Sequence, residues 1–138
     1  MKKLFIFIFC LISFESLALE KKSTFNKEIF NKAKSEGKLV VVSSWTKYCS
    51  SCASQMKVLN KAKTEFENIV YLSFEITNKE IANMLNVEYQ TTMIIFKGNK
   101  EVYRSIGETS KEKIYKAIKS SISNNLSISI TSEVSIGS

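Results

Sequence analysis

Leu39-Val40-Val41-Val42 is an apolar, mostly β-branched run, and just beyond it stand two cysteines with two residues between them, Cys49 and Cys52, at the head of a helical stripe. Such a run reads as a strand buried on both faces. A sheet buried in this way needs helices above and below it. The dithiol therefore falls where a central strand gives way to a helix.

The rest of the pattern agrees. Residues 21–36 carry Phe25, Ile29, Phe30 and Ala33 at helical spacing, with Gly37 as a stop. Met56, Leu59, Ala62 and Phe66 stripe the helix after Cys52, and residues 69–76 form a second strand. Thr77-Asn78-Lys79-Glu80 reads as a capping box opening a short helix with Ile81, Met84 and Leu85. Met93-Ile94-Ile95-Phe96 is a third strand, Gly98-Asn99 a turn, and residues 101–105 a fourth strand closing a hairpin. A second capping box, Thr109-Ser110-Lys111-Glu112, starts a last helix striped by Ile114, Tyr115, Ala117, Ile118 and Ile122. Met56 and Met84 are read as core residues. The order α-β-α-β-α-β-β-α belongs to the α/β class, with a central four-stranded mixed sheet and helices on both faces.

The two ends differ from this middle. Lys2 and Lys3 precede an apolar run from Leu4 to Phe14, and Ser16-Leu17-Ala18 sets small residues at alternate positions, as a signal peptidase requires. The run, at about 11 residues, is too short to cross a bilayer. Cys10 lies inside it with no small-residue lipobox before it, which argues against a lipoprotein. Residues 1–18 are thus expected to be a cleaved signal peptide, and the protein to be periplasmic or secreted. Residues 19–123 form one domain. Residues 124–138 are polar and Ser-rich, with a weak alternation of Leu126, Ile128 and Ile130, and read as a tail beyond it.

Without residues 1–18 the net charge is about +6, from 18 basic and 12 acidic side chains. The lysines are scattered, with no arginine cluster and no interleaved aromatics, so they read as solvated helix faces and no nucleic-acid partner is expected. Two cysteines remain in a compartment where disulfides form. A loop this small makes an inefficient structural staple, so a redox pair is the better reading. Cys49 would lie at a helix N-terminus, where free N–H groups and the positive dipole end stabilise a thiolate. Cys52, one turn later and more buried, can reach it. Cys49 then attacks a partner disulfide and Cys52 resolves the mixed disulfide. No cofactor beyond the Cys49–Cys52 disulfide is called for.

From Leu39 to Ile122 the chain resembles thioredoxin. Trp45-Thr46-Lys47-Tyr48-Cys49-Ser50-Ser51-Cys52 is similar to the family's W-A-x-W-C-G-P-C, Val87 to Thr92 to its V-x-x-x-P-T loop, and Ile106-Gly107 to the V-G before the last helix. Phe74-Glu75-Ile76-Thr77 resembles the D-x-T of exported thioredoxin-like reductase domains, including the carboxy-terminal domain of the periplasmic thiol:disulfide interchange protein. The resemblance implies a thioredoxin-like fold and a thiol:disulfide oxidoreductase of undetermined direction. Trp45, Tyr48, Ser50 and Ser51 flank the site, and Gln90, Thr91 and Thr92 form the loop on which a substrate strand docks. The implied partners are protein disulfides or dithiols, with a membrane-bound redox partner, and the implied state is monomeric.

Three departures matter. Ser50-Ser51 replaces the Gly-Pro dipeptide that tunes the redox potential, and serine hydroxyls can donate to the Cys49 thiolate. Ser43 stands where the family keeps a buried acid, in a chain with no aspartate. Glu75, or a water, is the candidate proton acceptor in its place, and the alternative for Glu75 is a solvated strand end. Thr91 stands at the family's cis-proline, in a chain with no proline at all. A non-proline cis bond costs roughly 3 kcal/mol, so the Gln90–Thr91 bond is expected to be trans.

Two other functions fit parts of the pattern. Two thiolates can hold Cu(I), or half of a four-thiolate zinc or iron–sulfur site shared in a dimer. With no histidine, a mixed cysteine–histidine site is excluded. A non-catalytic binding module on the same fold suits the missing acid and proline, but not the retained cysteines, Trp45 and Tyr48.

Overall fold

A computed structural model describes residues 22–123. Its elements run α1 (Lys27–Ser35), β1 (Leu39–Trp45), α2 (Ser50–Glu65), β2 (Ile69–Glu75), α3 (Lys79–Met84), β3 (Thr92–Lys97), β4 (Lys100–Ile106) and α4 (Lys111–Ser123). The sheet order is β2-β1-β3-β4. β2 lies parallel to β1, while β3 is antiparallel to both β1 and β4, so the sheet is mixed as expected.

Strand alternation divides the core. Val40, Val42, Phe74, Ile94 and Phe96 face Phe30 and Ala33 of α1 and Ile81 and Ala82 of α3. Leu39, Val41, Met93 and Ile95 face Leu59 and Ala62 of α2 and Ile114 and Ile118 of α4. Every residue of β1 is buried, which is why its sequence is continuously apolar at first rather than alternating. The outer edge of β2 is covered by the segment before α1, where the Thr24 and Phe25 N–H groups donate to the Ser73 carbonyl.

Helix starts are where local chemistry overrode the pattern. The first helix begins at Lys27, not residue 21, because the Asn26 side chain accepts from the Glu28 and Ile29 N–H groups. Phe25 stays outside that helix and packs on Phe30 and Phe74, while Ile29 is exposed. Asn78, not Thr77, caps α3 by accepting from the Ile81 N–H, and Glu80 pairs with Lys27 at 2.6 Å instead of closing a box. Ser110, not Thr109, caps α4 through the Lys113 N–H, and Glu108 takes the Ser110 N–H. Met84 and Ile122 are exposed rather than core. Met56 is half-buried against the cysteines, and Gln55 holds the fully buried position beside it. Gly37 does end α1, at φ +73°, a conformation that favours glycine.

Candidate active site

β1 ends at Trp45 and the chain turns through an exposed loop to α2. Tyr48 adopts φ +56° there, with its side chain 99% exposed. Cys49 follows as the N-cap of α2, in extended geometry, and its Sγ accepts the Cys52 N–H at 3.1 Å. Cys52 is fully buried, and the two cysteines are joined in a disulfide with Cα atoms 5.3 Å apart. No acidic residue occupies the first turn of α2. On reduction, a thiolate at Cys49 would therefore inherit the Cys52 N–H and the positive helix end without a competing carboxylate.

Thr91 reaches the sulfurs from the loop before β3. Among the described residues every peptide bond is trans, the Gln90–Thr91 bond included, and Thr91 sits in the left-handed region at φ +60°. That conformation is uncommon for a β-branched residue and costs on the order of 1–3 kcal/mol. Backbone bonds enforce it. The Thr91 N–H donates to the Ser44 carbonyl at 2.9 Å, and the Thr91 carbonyl accepts from the Gly107 N–H at 2.9 Å. Gln55 Nε2 adds a second bond to that carbonyl at 3.2 Å. The Thr91 hydroxyl so held lies 3.2 Å from Cys52 Sγ, 3.5 Å from Cys49 Sγ and 2.8 Å from Ser51 Oγ. Ser51 Oγ is in turn 3.3 Å from Cys49 Sγ.

The remaining site residues spread around this cluster. Trp45 is buried with Cys49, Cys52 and Met56, and its indole N–H has no partner. Ser50 is exposed. Thr92 is buried; its hydroxyl donates to the Tyr89 carbonyl and its N–H to Ser44 Oγ. Gln90 is exposed. Since both backbone groups of Thr91 are used inside the fold, a docking strand is left with those of Gln90. Glu75 ends β2 opposite Trp45, and no hydrogen bond joins it to Cys52, Ser51 or Thr91. Ser43 pairs with Ser73 and Met93 and lines a cavity of about 30 Å³, enough for a water, together with Asn60 and Tyr71. The Tyr71 hydroxyl is buried without a partner. Burial first, then the nearby Tyr115, pushes its pKa up to about 12. Among the described residues no three Cys, His, Asp or Glu side chains gather as metal ligands would.

Sequence reasoning passed over Gln55. Its amide orientation is set by its neighbours: both are carbonyls, Thr91 at 3.2 Å and Glu108 at 2.9 Å, so Nε2 must face them. The Oε1 atom is left buried and unpartnered. The clue was available, since Gln55 lies on one stripe with Cys52, Leu59 and Ala62, the buried face of α2.

A strand that delivers one capped and one buried sulfur to a helix start defines a thiol:disulfide oxidoreductase site. The family model for thioredoxin matches residues 16–120, and the chain belongs to that family. It is 27% identical over 90 residues to an H-type thioredoxin of Fagopyrum esculentum, covering 64% of this chain and 78% of that one. It is 30% identical over 81 residues to a thioredoxin of Chlamydia trachomatis serovar D, covering 58% and 79%. The solved structure of Trxlp from Edwardsiella tarda EIB202 superposes with a TM-score of 0.62 at 25% identity, covering 65% of this chain and 90% of that one. The thioredoxin NaTrxh of Nicotiana alata has the same fold, with a TM-score of 0.62 at 24% identity, covering 67% and 81%. Family and site together make the chain a thiol:disulfide oxidoreductase, and members of this family act on protein disulfides.

Proposed function

We propose that this enzyme is exported and works on protein disulfides outside the cytosol, as a monomer served by a membrane-bound dithiol partner. One observation carries the reading of the site: the two bonded sulfurs are unequal. Cys49 caps α2 and keeps 9% of its surface exposed while Cys52 is fully enclosed, which suits one sulfur to attack and the other to resolve. Tyr48, Tyr89 and Ile106 are exposed on the segments that carry Cys49, Thr91 and Gly107, an apolar rim suited to a polypeptide substrate.

The export reading is supported by Lys2, Lys3, the apolar run to Phe14 and the Ser16-Leu17-Ala18 site. A cytosolic nicotinamide-dependent system does not reach an exported enzyme, hence the membrane partner. Two hydrogen bonds bear on how readily the pair is reduced. The Cys52 N–H and the Ser51 hydroxyl both favour a thiolate at Cys49. A stabilised thiolate makes the reduced form easier to reach and the disulfide a better oxidant.

The test is a Cys52→Ser protein expressed from the full reading frame. Disulfide-linked adducts with other proteins are expected, absent when Cys49 is also replaced, on a chain that begins at Leu19. A Cys52→Ser protein free of adducts would refute the role of the pair. A chain that keeps residues 1–18 would refute the export.

A further inference from the structure

Among the described residues no carboxylate is hydrogen-bonded to the buried cysteine. Lys47 lies in the loop after β1, Glu75 at the end of β2 and Glu108 in the loop after β4, and none hydrogen-bonds Cys52, Ser51 or Thr91. Glu108 is turned away, toward the Ser110 N–H and Lys113. Yet Cys52 must lose a proton before it can attack. What the structure places against Cys52 Sγ is a hydroxyl, Thr91 Oγ1 at 3.2 Å, itself 2.8 Å from Ser51 Oγ, which lies 3.3 Å from Cys49 Sγ.

We propose that the hydroxyls of Thr91 and Ser51 are a proton path from Cys52 to the sulfur bonded at Cys49, and so catalytic groups in the resolving step. The proposal rests on the dithiol mechanism above. Each hydroxyl donates one proton and accepts another, so the shorter contacts form a file with two polarities, beside a longer direct contact of 3.5 Å from Thr91 Oγ1 to Cys49 Sγ. In the disulfide neither sulfur donates. The two hydroxyl protons then point along the file either toward Cys52 or toward Cys49. In the mixed disulfide Cys52 carries the proton, and the file runs from Cys52 S–H through Thr91 to Ser51.

The step balances within the cluster. Cys52 Sγ forms its bond to Cys49 Sγ as the bond from Cys49 to the partner sulfur breaks. The electron pair of the broken bond leaves on the partner sulfur. The Cys52 proton passes to Thr91 Oγ1, the Thr91 proton to Ser51 Oγ, and the Ser51 proton to the departing sulfur, which leaves as a thiol. The dithiol is oxidised, the partner is reduced, and no proton enters from or leaves to the solvent. Ser51 is half-buried, at the rim where the partner departs. Thr91 is fixed by Ser44, Gly107 and Gln55, so its oxygen keeps its place, and between turnovers only the two hydroxyl protons turn back from the Cys52 side toward Cys49.

The experiment mixes reduced protein with glutathione disulfide and follows the Cys49–glutathione adduct by acid quench and mass spectrometry. The variants are Thr91→Val, which keeps the shape and loses the hydroxyl, Thr91→Ser, which keeps the hydroxyl, and Ser51→Ala. Near pH 6, resolution in Thr91→Val is expected to slow about a hundredfold, the low end of what positioned acid–base groups contribute, with Thr91→Ser within about threefold of the parent. Ser51→Ala slows in the same sense. All rates converge as rising pH lets water deprotonate Cys52. A Thr91→Val or Ser51→Ala protein that resolves at the parental rate near pH 6 overturns the path, as does a Thr91→Ser protein as slow as Thr91→Val. Parental protein that forms no adduct at Cys49 is a different result, and sinks the dithiol mechanism instead.

Discussion

Gln55 offers a sharp test because its two amide atoms have opposite fortunes. Gln55→Leu removes two hydrogen bonds, worth about 1 kcal/mol each. Neither acceptor is stranded: the Thr91 carbonyl keeps the Gly107 N–H at 2.9 Å, and the Glu108 carbonyl is only partly buried. The same substitution abolishes the unpartnered Oε1, a desolvated acceptor costing about 1–3 kcal/mol. Loss and relief nearly cancel, and Gln55→Leu should unfold within about 1 kcal/mol of the parent. Gln55→Glu keeps the shape and reverses the chemistry. An acceptor then meets two carbonyl acceptors, and a buried, unpaired carboxylate costs at least ~3 kcal/mol. Burial holds the folded-state pKa of that new carboxyl above its unfolded value. Its penalty is therefore absent at low pH and grows as pH rises. The assay is urea unfolding of the oxidised proteins at neutral and mildly acid pH. The expected order at neutral pH is parent close to Gln55→Leu, with Gln55→Glu well below, and the gap closing on acidification. If Gln55→Leu falls as far as Gln55→Glu and neither responds to pH, the amide assignment is wrong.

Two further predictions concern Tyr71 and Thr91. Tyr71 should ionise late in an alkaline absorbance titration, near its value of about 12. The stability tied to its neutral form is complete below the unfolded value of 10.0 and lost as pH rises toward 12; a Tyr71→Phe protein whose alkaline unfolding curve matches the parent's would refute this. Thr91→Pro restores the residue expected from the family but not its setting. Proline cannot take φ +60° or supply the N–H that Ser44 accepts, so a loss of about 3 kcal/mol or more and altered turnover on protein disulfides are expected. Unchanged denaturant midpoint and turnover would show that the left-handed threonine is not needed.

The architecture was legible because its signals are redundant. The β1 run is buried throughout, and the antiparallel pairing of β3 with β4 follows from the short Gly98-Asn99 connection. Helix starts were less legible. At each capping box two adjacent polar residues competed, and the choice went with a tertiary partner in one case, Lys27 on Glu80, and with a neighbour just before the box in the other, Glu108 on the Ser110 N–H. The cysteines could be placed from the strand-to-helix junction alone. The conformation of Thr91 could not, because φ +60° in a threonine is imposed by Ser44, Gly107 and Gln55 from three other parts of the chain. Gln55 was missed because a polar residue on an apolar stripe reads as the edge of that stripe until its carbonyl partners are in view.

The central claim is that the fold makes Cys49 an activated nucleophile and keeps Cys52 in reserve. Its most direct measurement is the pH dependence of iodoacetamide alkylation of the reduced protein, with the modified cysteine identified by mass. Modification confined to Cys49, half-complete well below the value of about 8.5 for a free cysteine, is expected. Equal labelling of both cysteines, or a Cys49 that reacts no faster at neutral pH than a free thiol, would contradict it.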